Sequence, residues 1–170
     1  MADRSRSEAD LVLFNERLTN SAGFGVLFRE GMDLVEETAA YLDGDGRAEA
    51  KALDRSASLT YATESMRLTT RLMQVASWLL LHRAVREGEM TLVQANREKT
   101  KVRLTAADPG APELLARLPE RLRDLVARSM ALQAKVRRLD QTIHAPVSDQ
   151  PLSGNPLSPQ LDRLRAAFER

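Results

Sequence analysis

The sequence predicts an all-α fold: an antiparallel three-helix bundle, homodimeric, with a disordered Pro-rich C-terminal tail. Three observations predict it. Aromatic residues make up only 4% of the 170-residue chain, so its core is mostly Leu, Ala, Val and Met, which suits helices better than a β-sandwich. Three long stretches repeat their apolar residues at helical spacing. Four of the seven prolines, at 146, 151, 156 and 159, fall in one polar segment that has no means of building a core. The expected division is a flexible arm over 1–20, a bundle over 21–145 and a tail over 146–170.

The first helix is expected at about 22–43. Phe24, Leu27, Phe28, Gly31, Leu34, Val35, Thr38 and Leu42 share one face, and Ser21 is the candidate N-cap. The run Asp43-Gly44-Asp45-Gly46 supplies its stop. Gly31 inside the helix weakens it by about 1 kcal/mol relative to Ala, a cost that a close helix crossing explains.

The second helix has its firm part at 55–87, with Asp54 as N-cap and Gly88 as stop. It is apolar on two sides. Leu68, Leu72, Val75 and Leu79 form one stripe, and Met66, Met73 and Leu80 form another. A three-helix domain covers one side only, so the second stripe is the candidate dimer interface. Arg67, Arg71, Gln74 and Trp78 line up at spacings of 4, 3 and 4. Two arginines with the only tryptophan form a candidate partner-binding row; the alternative is a polar stripe beside a core Trp.

Thr91 and Gln94 have capping-box spacing for a short helix near 92–98. A turn follows at Asp108-Pro109-Gly110-Ala111-Pro112, and Pro119 breaks the next helical turn. The third helix runs from about 120 to 144, with Leu125, Ser129, Leu132, Val136, Leu139 and Ile143 as a heptad seam. Beyond the prolines, Leu161, Leu164 and Phe168 share a helical face, a candidate docking segment on a tether.

The sequence excludes much chemistry. It has no cysteine, and hence no disulfide, thiolate metal site or cysteine nucleophile. Neither histidine is preceded at three residues by Glu, so no Glu-x-x-His di-iron pair exists; His82 and His144 read as helix-surface or cap residues. There is no P-loop, nucleophile elbow or dinucleotide fingerprint. No catalytic residue, metal or cofactor is expected. No apolar run exceeds four residues and the N-terminus has no h-region, which reads as a cytoplasmic protein without a membrane partner.

The formal net charge of +1 hides an asymmetry. Residues 1–60 carry 7 basic and 12 acidic side chains, and residues 61–145 carry 15 basic and 9 acidic. Such a field pairs within the fold or between subunits. The basic run Arg97, Lys99, Lys101, Arg103 and the Arg137-Arg138 pair support a rival reading, a DNA-binding transcriptional regulator, against which the small net charge speaks. A self-assembling structural module is a third reading.

The string Tyr61-Ala-Thr-Glu-Ser-Met-Arg-Leu-Thr-Thr-Arg-Leu-Met-Gln-Val-Ala-Ser-Trp-Leu-Leu-Leu81, continued by Arg83-Ala-Val-Arg-Glu-Gly-Glu-Met90, resembles the alphaproteobacterial RcdA family, the regulators of CtrA degradation. Tyr41-Leu-Asp-Gly44 and Lys101-Val-Arg-Leu104 extend the likeness over about residues 10–144. The resemblance implies a dimeric three-helix fold without enzymatic activity, an adaptor for the ClpXP protease in the cell cycle. It implies recruitment through a CpdR-like response regulator. It also implies tethering of cargo such as CtrA, or of a PopA-like adaptor that binds cyclic di-GMP. The family has no catalytic residues to carry over.

Overall fold

A computed structural model describes residues 22–99, 104 and 111–143. The described residues form six helices and no strand: α1 (Ala22–Asp43), α2 (Asp45–Lys51), α3 (Arg55–Arg86), α4 (Leu92–Lys99), α5 (Pro112–Leu115) and α6 (Glu120–Ile143). Ser21, His144, the N-terminal arm and the proline-rich tail lie outside the described residues.

Local sequence signals set the helix ends. The Asp54 carboxylate accepts from the Ala57 amide at 2.9 Å and starts α3. Gly88 adopts φ +76° just after α3, a left-handed angle that ends the helix without a Cβ penalty. The Thr91 amide donates to Gln94 Oε1 at 2.9 Å, and the Gln94 amide to Thr91 Oγ1 at 3.2 Å, closing the capping box of α4. The glycine run at 44–46 ends α1, but Asp45 immediately starts α2.

The three long helices pack around a core of Phe24, Leu34, Leu68, Leu72, Val75, Leu79, Leu122, Leu125, Leu132 and Val136. The predicted faces of all three long helices are there, and Tyr41, Leu122 and Val126 join them. Gly31 sits where α1 crosses α3: a Cβ on it would come within 2.4 Å of Leu79 Cδ1.

The expected antiparallel arrangement holds for α1 only. Gly31 meets Leu79 and Gly46, just past the end of α1, meets Tyr61, so α1 runs against α3. Along α3 and α6 the contacts advance together instead. Arg117, just before α6, pairs with Asp54; Arg71 bonds Ser129; Trp78 bonds Asp140. These two helices are parallel. The cause is the connection over 87–119, in which α4 folds back along the end of α3 and α5 lies beside its start. Such a link returns the chain to the starting end before α6 begins, as parallel neighbours require.

Candidate protein-docking surface

Among the described residues, most of the exposed large apolar side chains lie on the outer face of α3. Leu59, Met66, Met73 and Leu80 stand 70%, 72%, 65% and 51% exposed. They recur every seven residues, so they line up along about 32 Å of helix. On the same face between them lie Ala62, Thr63, Thr69, Thr70, Ala76 and Ser77, and no charged residue. Three of the hydroxyls are already satisfied. Thr63 donates to the Leu59 carbonyl, Thr69 to that of Ser65 and Ser77 to that of Met73, at 2.8–3.0 Å. The face is therefore small, uncharged and largely apolar in character. The inner stripe, Leu68, Leu72, Val75 and Leu79, is buried, so the two-sided apolar girth read from the sequence is real. Leu59 continues the outer stripe one heptad toward the N-terminus; the same period of seven carries the signal.

The row Arg67, Arg71, Gln74 and Trp78 is not a surface row. Trp78 is 1% and Arg71 6% exposed. The Trp78 indole N–H donates to Asp140 at 2.8 Å, and Arg71 Nη1 donates to Ser129 Oγ at 2.7 Å. Burial pulls the Arg71 guanidinium below its ordinary value, while nearby Glu64 opposes that shift. Arg67 stays at the rim and bonds the buried Glu64 carboxylate at 2.9 Å; Gln74 is half-buried. The turn of the helix carries Arg71 and Trp78 against α6, where each finds a partner. His82 is likewise no surface residue. It is buried, stacks on Trp78 at 3.9 Å between ring centroids, and approaches the Trp78 carbonyl through Nδ1 at 3.0 Å. Leu161, Leu164 and Phe168 lie outside the described residues.

The charge asymmetry is resolved largely inside the fold. Glu30 pairs with Lys135 at 2.9 Å, Glu37 with Arg128 at 2.7 Å and Asp45 with Arg121 at 3.0 Å. The acids come from α1 and α2, the bases from α6 at intervals of seven. The hydrogen bond from Arg128 holds the Glu37 carboxyl below the usual range and raises Arg128 in turn. Of the basic run, Lys99 pairs with Asp140 at 2.7 Å and Arg97 is exposed, while Lys101 and Arg103 lie outside the described residues. Bases committed in this way are poorly placed to neutralise phosphates, which weakens the DNA-binding reading. Among the described residues no group of three or more His, Cys, Asp or Glu is placed to hold a metal. No described helix is long and apolar enough to cross a membrane.

The family described as "protein of unknown function (DUF1465)" matches residues 15–168. Among solved structures, RcdA from Caulobacter crescentus CB15 is 50% identical, with a TM-score of 0.64, over 77% of this chain and 98% of that one. The chain belongs to the RcdA family. Among curated proteins no match was found. The match covers nearly all of the solved RcdA chain, so the two chains share one fold.

Proposed function

We propose that this RcdA-family chain is a non-enzymatic adaptor that works as a homodimer in the cytoplasm. It tethers cargo proteins, or further adaptors, to the primed ClpXP protease, and so regulates cell-cycle proteolysis such as CtrA degradation. The observation that carries the reading is the uncharged, exposed stripe of α3, a surface built for protein contact on a chain half identical to RcdA. Met66, Met73 and Leu80, with Leu59, form the dimer seam. The segment with Leu161, Leu164 and Phe168 offers a tethered contact for a partner. A CpdR-like response regulator primes the protease, and a PopA-like cyclic di-GMP-binding adaptor extends the cargo range.

The mechanism is effective concentration. Holding cargo and protease on one scaffold makes their encounter nearly intramolecular, at about mM effective concentration for short tethers. Each contact stays weak enough to release cargo into the protease.

Reconstituted degradation tests this. The purified chain, ClpXP, a CpdR-like regulator and CtrA should give faster cargo loss than the same mixture lacking the chain. Unchanged cargo lifetime with every component present would sink the adaptor reading. Removing residues 146–170 should leave the helical melt intact and alter delivery of some cargoes.

A further inference from the structure

We propose that the terminal segment 161–168 docks on its own chain, at the open end of the seam between α1 and α6, as a resting contact that a partner must displace. The inference needs neither the dimer nor the adaptor reading. It rests on a surface of the bundle away from the α3 stripe.

Glu30 pairs with Lys135 and Glu37 with Arg128, so α1 and α6 lie side by side in opposite directions. One turn beyond the first pair, Val26 and Arg138 therefore stand at the same level. Val26 is 66% exposed, and Leu27 and Leu139 of the same seam are only half-buried against the core. On the α6 side Ala131 and Ala134 are exposed, and their small side chains let another helix approach to about 8 Å. An apolar edge is thus left open among the described residues.

Its rim carries charge of both signs. Arg137 and Arg138 of α6 and Asp33 of α1 form no ion pair among the described residues. Leu161, Leu164 and Phe168 share one helical face of the segment, and Asp162, Arg165 and Glu169 line a single flank of that face. The two carboxylates find counter-charges in Arg137 and Arg138, and the Arg165 guanidinium finds one in Asp33.

Length selects this occupant. Residues 144–160 make a 17-residue tether that starts where α6 ends, at Ile143. A flexible chain of that length spans about 20–25 Å root-mean-square. The positions from Leu139 back to Ala131 lie about 6–18 Å from Ile143 along α6. Tether and distance match, which gives an effective concentration of about mM. As a helix, 161–168 covers about 10 Å, as does α6 from Ala131 to Arg138. The α3 stripe is about three times longer, and the segment leaves most of it bare. A contact whose own Kd is about mM is filled roughly half the time at such a concentration, so it yields readily to a partner.

The chain has no cysteine, so a nitroxide on Ala166→Cys, pointing away from the apolar face of the segment, is introduced without background. In the full-length chain it should broaden the amide signals of Val26, Ala131 and Ala134 several-fold more than those of Leu59 and Met66. Adding Leu164→Ser and Phe168→Ser should abolish the difference. Broadening that spares the edge, or that falls on the α3 stripe instead, overturns the inference. So does broadening in a mixture of spin-labelled chains with isotope-labelled chains that carry no nitroxide, because the segment then sits on a second copy. Trypsin gives another readout. Ala134→Glu keeps the helix, with Arg138 at i+4, and should leave the melt unchanged while speeding cleavage after Arg163 and Arg165 about twofold or more. Equal cleavage rates would remove the docked state. The adaptor reading is untouched by any of these results, since the degradation assay alone decides it.

Discussion

A missing methyl group at residue 31 decides how closely α1 and α3 cross. Leu79 is fully buried, so its Cδ1 has no free space to yield into. Gly31→Ala gains about 1 kcal/mol of helix propensity but overpacks the crossing at about 1–3 kcal/mol. A net loss of about 1 kcal/mol is expected, read as a lower urea midpoint at unchanged slope. Arg71 presents the opposite problem, a charge inside the bundle. Its hydrogen bond to Ser129 Oγ, which itself donates to the Val126 carbonyl at 2.7 Å, is what the structure offers it across α6. Ser129→Ala should cost about 1–3 kcal/mol by thermal or urea melt, and Arg71→Met in the same chain should recover much of it. No recovery would mean that Arg71 is not the group left stranded.

At the scale of elements, helix ends add to the packing that stabilises α3. Asp54→Ala removes its N-cap and should lower stability by about 1 kcal/mol, whereas Asp54→Asn keeps an acceptor for Ala57 and should cost less. Comparing the two melts checks this. The cap was legible in the sequence, as were Gly88 and the Thr91–Gln94 box, because each acts on amides within four residues. The inner and outer stripes of α3 were legible for the same reason, as a helix repeats its own face. What escaped is long-range. The sequence leaves Trp78 open between a binding row and the core and places Arg71 in a polar stripe; only their partners Asp140 and Ser129, 62 and 58 positions away, decide for burial of both. His82 reads as exposed because nothing near it in sequence announces the stacked indole. The direction of α6 escaped because it depends on the path of 87–119, which no periodicity encodes.

For the whole molecule, the ladder between α1–α2 and α6 fixes direction more than it adds stability, since exposed pairs contribute about 0–1 kcal/mol each. Together with the N-cap of α3 it creates a pH dependence. Glu37 is lowered mainly by its bond from Arg128, and Asp54 mainly by the Ala57 amide. Carboxyls held low in the fold bind protons more readily when unfolded, so stability rises with pH through their range. It should be fully present above about pH 5 and decline as pH falls through about 4 and below. A circular-dichroism titration checks this, and Glu37→Gln should flatten part of the decline. An unchanged acid profile in that variant would remove Glu37 from the account.

The return path between α3 and α6 has a consequence for synthesis on the ribosome. A nascent chain that has emerged only as far as residue 119 owns a rod with grease on both sides and one long companion, α1, to lay against it. Its inner wall is closed only by α6, the last of the described helices to leave the exit tunnel. Newborn chains therefore pass through an interval in which they are stickier than the finished subunit, and the fold is sealed only once α6 has emerged.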